Sequence, residues 1–307
     1  QQVNQAFTQA GIRCVWFKGV ALSSTIYTIP SLRLKGDLDC IVPQTDMLKA
    51  LQILLDMDYE EIPDDDFKLN PIIYDRLSHH IGLRHKEKQH IKLELHRHLL
   101  GLSGPQLIPP THLTKWLDEA MTFDLDGQPA LTFRPEYHLL YLCAHAFLQH
   151  GEDSVELRQL LDMHLLVTTY TLDWDLLIDE AVALKWTFLL EFVLMRIGSY
   201  FHTPIDPSVF DRLQSLRPAN EVIDHTYVMD HEFVDGEALY KYINHLNYRE
   251  QLIAIWQIVF PSKIYMQDRY KIKPNMPVFP YYIYRFIYQL KDISAFMLQG
   301  FIDQFRS

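Results

Sequence analysis

Two aspartates separated by one residue, Asp37 and Asp39, have the type and the spacing that a metal site requires. Successive side chains of a β-strand point to opposite faces, so a strand through this segment places both carboxylates on one face. Two neighbouring negative charges destabilise a fold unless a cation neutralises them. Mg²⁺, or Mn²⁺ in its place, takes oxygen ligands and keeps open positions for substrate phosphates, so the pair predicts a divalent metal site.

The surroundings of this pair distinguish it from other acidic groups in the chain. The pair at 124–126 runs into a glycine and is typical of a hairpin turn, the pair at 173–175 is placed to cap a helix, and the run at 64–66 is typical of a solvated loop. The cations Arg33 and Lys35, by contrast, precede the 37–39 pair, and an apolar strand follows it. This context favours a functional role for the pair.

A third acid is expected on a neighbouring strand, and Glu94 meets that requirement. In the alternating run 91–98, leucines occupy one face, whereas Glu94 and His96 share the other. Three convergent carboxylates can bind two divalent ions about 3.5–4 Å apart, one activating an acceptor hydroxyl and one stabilising a leaving pyrophosphate. A surface strand with ordinary polar alternation explains Glu94 equally well, and both interpretations stay open at this point.

These residues and the segments around them resemble the uncharacterised branch of the nucleotidyltransferase superfamily, which has the DNA polymerase β-like fold. The segments that carry the resemblance are 15–22 (VWFKGVAL), Tyr27, 33–39 (RLKGDLD) and 94–96 (ELH). A looser likeness continues into the later part of the chain through His145, Arg158 and Asp162.

The resemblance implies an enzyme that transfers a nucleoside monophosphate from an NTP, such as ATP, to an acceptor hydroxyl or phosphate. It implies that Asp37 and Asp39 are the paired metal ligands and that Glu94 is the third acid, which helps to activate the acceptor. It also implies that Gly19 belongs to the turn that binds the triphosphate.

The phosphate-binding turn departs from the pattern of the wider superfamily. That pattern has a Gly-Ser pair in the turn, whereas Gly19 is followed by Val20. The charges of Lys18 and Arg33 make them further candidates for contact with the nucleotide phosphates. The departure favours a second hypothesis, a catalytically inactive nucleotidyltransferase-like module that binds or regulates.

Histidines suggest a different metal chemistry. His79 and His80 precede His96 and His98 in the sequence, and the last two would share a strand face in an arrangement feasible for zinc. A zinc site of this kind would indicate a metal hydrolase. Neither an HExxH motif nor a cysteine partner accompanies these histidines, and His96 is better interpreted as a supporting or substrate contact.

A polar stripe of the predicted helix at 135–150 offers another candidate. His145 falls on one face of this helix with His138 and Tyr141. Packing between helices would explain this stripe. Alternatively, this face of the helix points toward the carboxylates and contacts the acceptor.

The elements that must position these side chains change in character near residue 130. Before it, hairpins are predicted at 81–100 and around Asp126-Gly127, and a helix at 45–59. From Pro135 onward, apolar residues recur with helical spacing. We therefore expect an α+β fold, in which a mixed β-sheet head with flanking helices spans 1–133 and is nucleotidyltransferase-like by resemblance. A mostly α-helical domain spanning 134–307 would complete the substrate cleft.

The composition limits the partners and the compartment. The chain has 28 Lys and Arg against 39 Asp and Glu, a formal net charge of -11, which has the wrong sign for tracking a phosphate backbone. A small-molecule or protein acceptor is therefore favoured over a nucleic acid. Three isolated cysteines favour a reducing compartment, and no stretch is apolar enough to span a membrane, so we expect a cytoplasmic protein.

Overall fold

The computed structural model describes residues 1–34, 36–62, 79–100, 108–149, 155–219 and 221, and separate positions between 260 and 285. The chain divides into two compact units, Gln1–Ile62 with His79–Glu232 and Pro63–Ser78 with Phe233–Ser307. The first unit contains the sheet and every candidate site residue. In the second unit, Met266, Ile272 and Val278 form a small apolar cluster. The division at residue 133 stays a prediction.

The described strands form one mixed sheet in the order β3-β4-β5-β2-β1-β7-β6. Their bounds are β1 Val15–Trp16, β2 Leu38–Ile41, β3 Tyr59–Glu61, β4 His80–His85, β5 Lys92–His96, β6 Met121–Leu125 and β7 Gln128–Thr132. Strand β5 is parallel to β2, and β7 is parallel to β1, whereas the other neighbours are antiparallel. The mixed sheet predicted from the sequence is confirmed.

Helices precede, interrupt and follow the strands. Their bounds are α1 Gln2–Gln9, α2 Lys18–Thr25, α3 Met47–Asp56, α4 Pro110–Asp118, α5 Pro135–Ala144, α6 Leu157–Thr169, α7 Trp174–Leu184, α8 Thr187–Phe201 and α9 Pro207–Ser215. A π-helical turn, His145–Gln149, extends α5. After β7, the described elements are all helical, as predicted.

The two faces of the sheet pack into different apolar clusters. On one face, Cys40 and Leu95 are buried with Phe7 of α1 and Leu54 of α3. On the other face, Ile41 is buried in the cluster that contains the later helices. Because side chains alternate along β2, Asp39 lies on the same face as Ile41 and next to the helical layer.

Both predicted hairpins are confirmed. Strand β4 pairs antiparallel with β5, and β6 with β7. Asp126 and Gly127 have φ values of 50° and 84°, which a tight turn with positive φ at both central positions requires. The Asp124 carboxylate accepts a hydrogen bond from the Gly127 amide within this turn, so the 124–126 pair is structural.

The apolar run 173–201 forms the two helices α7 and α8. Asp173 caps α7 by accepting a hydrogen bond from the Leu176 amide at 3.0 Å, as predicted. Lys185 ends α7 with a φ of 57°, and the Trp186 amide donates to the Ala181 carbonyl at 2.7 Å. This hydrogen bond closes the helix as a Schellman motif does, with lysine in the left-handed position that glycine usually occupies.

Several predicted features lie outside the described residues. These are Lys35, the acidic run at 64–66, and most of the apolar periodicity predicted beyond residue 221. Within the parts of the chain that the structure describes, no helix is both long and apolar enough to cross a bilayer. The cysteines Cys14, Cys40 and Cys143 are buried and form no disulfide.

Candidate functional site

Strands β2 and β5 hold two carboxylates side by side. The parallel register pairs Asp39 with Glu94 and Ile41 with His96. The side chains of Asp39, Glu94 and His96 therefore share the face of the sheet on which Ile41 is buried. The structure thus brings together two of the three predicted acids through neighbouring strands.

Lys18 places its ammonium group between these two acids. Its Nζ lies 2.8 Å from Asp39 Oδ1 and 3.8 Å from Glu94 Oε2, and its side chain is 17% exposed. Burial acts to lower the pKa of Lys18. The neighbouring Tyr141, Asp39 and Glu94 outweigh this effect and raise the pKa well above its ordinary value. Lys18 is therefore charged at neutral pH and neutralises part of the acidic pair.

His96 lies against the same two acids. Its Nε2 atom is 3.3 Å from Asp39 Oδ1 and 3.2 Å from Glu94 Oε2, and its Nδ1 is 3.2 Å from the His98 carbonyl oxygen. Burial acts to lower the pKa of His96, but the hydrogen bonds to Asp39 and Glu94 raise it above its usual value.

Glu94 is held ionised by its neighbours. Burial acts to raise its pKa, yet the hydrogen bond with His96 and the electrostatic interactions with His80 and Lys18 hold it well below its usual range. A carboxylate that is ionised at neutral pH is a suitable metal ligand or hydrogen-bond acceptor. The structure places Glu94 so that it can serve in either way.

Asp37 lies one residue before β2 and is partly exposed. Burial raises its pKa, and the nearby carboxylates Asp39 and Glu94 raise it further. Asp37 is therefore close enough for its charge to be disfavoured by both acids. A cation bound among the three would relieve this repulsion.

The donor set fits a divalent cation. Asp39 Oδ2 is buried and has no hydrogen-bond partner within the described part of the chain. One ligand atom from each of Asp39, Glu94 and His96 lies within 4.8 Å of the others. A cation would satisfy the open oxygen, and a set dominated by carboxylates suits Mg²⁺ or Mn²⁺.

Gly19 lies in the first turn of α2, directly after β1 and Phe17. The backbone amide of Lys18, which has a positive φ of 48°, donates to Nε2 of His138 at 3.3 Å. Burial lowers the pKa of His138 to about 3, so its ring is neutral and can accept this hydrogen bond. The contact ties the predicted phosphate-binding turn to α5, while contact between Gly19 and a triphosphate stays a prediction.

Arg33 is bound to a carboxylate of a later helix. Its Nη2 lies 2.9 Å from Asp162 Oδ2, and its Nε lies 2.9 Å from Asp162 Oδ1. Tyr27 Oη donates to the same Oδ1 at 2.6 Å. These contacts fix Tyr27 and Arg33 against α6. The predicted contact of Arg33 with a nucleotide stays a prediction.

His145 begins the π-helical turn after α5. Its ring centroid is 5.5 Å from that of Tyr141, which in turn packs edge-on against Phe17 at 5.2 Å. Phe17 packs on His96 in turn, with ring centroids 4.9 Å apart, so a row of ring contacts connects His145 with the site. Its contact with an acceptor stays a prediction.

Two neighbouring histidines were not placed at this site by sequence reasoning. His80 is directly opposite His96 in the antiparallel pairing of β4 with β5, and His79 precedes it. The pKa of His79 is lowered to about 2 and that of His80 to about 4, mainly because burial disfavours the charged form of both rings. The hairpin alone could have indicated their position had its register been known.

The comparison with protein families gives one match. The family model described as uncharacterised nucleotidyltransferase matches residues 1–202. No curated protein gives a significant match.

Several solved structures are similar to this chain. The antibiotic-resistance factor ANT(2'')-Ia is 11% identical, with a TM-score of 0.40, and the match covers 66% of this chain and 92% of that protein. An antigenic nucleotidyltransferase-like protein from Paracoccidioides brasiliensis is 14% identical, with a TM-score of 0.41, covering 72% of this chain and 93% of that protein.

Proposed function

We propose that this chain, which belongs to the uncharacterised nucleotidyltransferase family, transfers a nucleoside monophosphate from an NTP to an acceptor hydroxyl or phosphate. The observation that supports the proposal best is the register pairing of Asp39 with Glu94, together with the open, buried Oδ2 atom of Asp39. Asp37, Asp39 and Glu94 would hold Mg²⁺ or Mn²⁺.

A divalent ion bound by these carboxylates would neutralise phosphate charge and make an acceptor hydroxyl a better nucleophile. Glu94, ionised at neutral pH, would accept a hydrogen bond from the acceptor hydroxyl. Lys18 is already charged beside both acids, and its flexible stem would let the ammonium group turn toward a phosphate oxygen.

The acceptor is proposed from charge alone. The formal net charge of -11 disfavours a polyanion and favours a small molecule or a protein side chain. ATP is one candidate donor among the NTPs. His145 is the candidate contact for the acceptor from the helical side of the same compact unit.

The test is a double substitution, Asp37→Asn with Asp39→Asn. Nucleotide binding is measured by isothermal titration calorimetry with each NTP in the presence and absence of Mg²⁺, and pyrophosphate release is assayed separately. We expect Mg²⁺-dependent nucleotide binding and pyrophosphate release to be lost while the circular dichroism spectrum stays unchanged. The matched control is Asp124→Asn with Asp126→Asn, which has the same spacing in a turn that asparagine also accepts. Unchanged nucleotide binding in the first variant would exclude the metal assignment.

A second candidate function is a nucleotide-binding module without turnover. The ion pair of Lys18 with Asp39 supports it, because the ammonium group neutralises the acids without a metal. Val20 after Gly19 supports it as well. Under this hypothesis, an NTP would raise the apparent melting temperature without Mg²⁺, and no pyrophosphate would be released with any acceptor.

A further inference from the structure

Three imidazole rings meet where β4 begins and β5 ends. His80 is the register partner of His96, and His79 is the residue before β4. The ring centroids are 4.5 Å apart for His79 and His80, 5.0 Å for His80 and His96, and 5.6 Å for His79 and His96. One nitrogen of each ring lies within 4.8 Å of one nitrogen of each of the others.

The surroundings of the rings suit metal binding. His96 is fully buried, and its side chain is oriented by the contact of Nδ1 with the His98 carbonyl oxygen at 3.2 Å. A hydrogen bond of this kind is what typically fixes the ring of a metal-binding histidine. The carboxylate of Glu94 completes the group, with its Oε1 atom 3.7 Å from His80 Nε2.

The donor types decide which ions this group would take. Mg²⁺ binds oxygen ligands, whereas Zn²⁺ and Co²⁺ bind imidazole nitrogens well and accept a carboxylate as a further ligand. Three nitrogens and one oxygen match the four ligands of a tetrahedral site. The oxygen donors Asp37 and Asp39 belong to a different kind of site, for a different kind of ion.

We propose that His79, His80 and His96, with Glu94, form a binding site for a divalent transition metal ion of the Zn²⁺ or Co²⁺ type. This site goes beyond the proposed nucleotidyl transfer, because it takes a different class of ion and adds the imidazoles of His79 and His80 as ligands. It shares Glu94 and His96 with the donor set around Asp39, so an ion bound by the histidines withdraws both ligands from Mg²⁺. The two sites are therefore antagonistic.

The test is a Co²⁺ titration of the full chain without nucleotide, followed by visible absorption. We expect one equivalent of Co²⁺ to produce the intense d–d bands of a tetrahedral ion, and one equivalent of Zn²⁺ to abolish them. Substitution His79→Ala with His80→Ala should weaken Co²⁺ binding at least tenfold. The matched control is His85→Ala on the same strand, whose ring packs on Tyr59 at 5.3 Å and which should leave the titration unchanged.

A second measurement keeps the proposal testable if the double variant is unstable. Zn²⁺ should raise the melting temperature of the wild-type chain by mass action, and this rise should be lost in the single variant His80→Gln. Weak octahedral bands, or equal Co²⁺ binding by the wild type and the histidine variants, would overturn the proposal. The Co²⁺ titration contains no nucleotide, so its outcome does not depend on nucleotidyl transfer. The proposed nucleotidyl transfer is tested separately, by the loss of nucleotide binding in Asp37→Asn with Asp39→Asn.

Discussion

Asp39 and Asp162 are both aspartates whose side chains are 1% exposed, and each forms an ion pair with a lysine or an arginine, yet their oxygen atoms are used differently. Both oxygens of Asp162 are occupied, Oδ1 by Tyr27 and Arg33 and Oδ2 by Arg33. Asp39 binds Lys18 and His96 through Oδ1, and its Oδ2 has no partner among the described residues. A buried carboxylate with both oxygens filled stabilises the fold, whereas one with an open oxygen is available to a ligand.

The side-chain cations that pair with Asp162 and with Asp39 also differ in how firmly they are held. The guanidinium group of Arg33 is planar and binds Asp162 through two nitrogens, which fixes the direction of both side chains. The ammonium group of Lys18 is a point charge on a flexible stem. A lysine can therefore leave its carboxylate when a metal ion or a phosphate arrives, and the Asp39 region can change partners where the Asp162 region cannot.

The strongest test of this comparison removes the charge of Asp162. In Asp162→Asn, the buried guanidinium of Arg33 loses its counter-ion, and we expect the free energy of unfolding to fall by about 3–5 kcal/mol. Urea denaturation followed by circular dichroism measures the change. The exposed helix cap Asp173 gives the control, because asparagine caps as well as aspartate and Asp173→Asn should change stability by less than about 0.5 kcal/mol. Equal stability of both variants would contradict the structural role of Asp162.

Acid pH tests the attachment of the Lys18 backbone to α5. The pKa of His138 is lowered by burial to about 3 from an ordinary value of 6.5, so the unfolded chain takes up a proton at higher pH than the native chain does. The contribution of His138 to the free energy of unfolding should therefore be fully present above pH 6.5. It should be lost as the pH falls from 6.5 to about 3, by on the order of a few kcal/mol. The fall of the urea midpoint across this range should be smaller in His138→Gln than in the wild type, and a part should remain because burial also lowers the pKa values of His79 and His80.

The control for the pH test is a histidine on the surface. His90 is exposed, so His90→Gln should keep the pH profile of the wild type. If His138→Gln also kept it, the buried ring would not be neutral in the native state. The assignment of His138 as an acceptor for the Lys18 amide would then be wrong.

Tyr27 allows the Asp162 region to be weakened without removing its charge. Tyr27→Phe deletes the hydroxyl that donates to Oδ1 at 2.6 Å, while Arg33 still binds both oxygens. We expect a loss of about 1–1.5 kcal/mol in the free energy of unfolding, the contribution of one hydrogen bond to a charged group. Tyr200→Phe, at an exposed position, is the control and should have no measurable effect. A double-mutant cycle with Asp162→Asn should give a non-zero coupling energy, since both groups share one oxygen.

Much of the sheet could be predicted because strand alternation and turn chemistry are local. The 81–100 hairpin and the Asp126-Gly127 turn follow from residues close in sequence. The same alternation placed Asp39 and Glu94 on a shared face once their strands were assumed to be neighbours. Whether these two strands are neighbours depends on the order of strands in the sheet, which no local pattern determines.

The remaining contacts depend on packing over long sequence separations. Arg33 and Asp162 are 129 positions apart, so their pairing follows from the way in which α6 packs rather than from any motif. Sequence reasoning assigned Lys18 to the phosphates, and its ion pair with Asp39 was not anticipated. The left-handed backbone at Lys18 is set by the turn between β1 and α2, and lysine gives no sign of it.

Among the substitutions at Asp39, Asp162 and their partners, Asp39→Asn should change stability least. Lys18 keeps Glu94 at 3.8 Å and is 17% exposed, and loss of one negative charge relieves repulsion of Asp37 and Glu94. We therefore expect the free energy of unfolding to change by less than about 1 kcal/mol, as at sites where function and stability conflict. Mg²⁺-dependent nucleotide binding, measured by titration calorimetry, should nevertheless be lost. A loss of stability as large as that of Asp162→Asn would mean that Asp39, too, chiefly stabilises the fold.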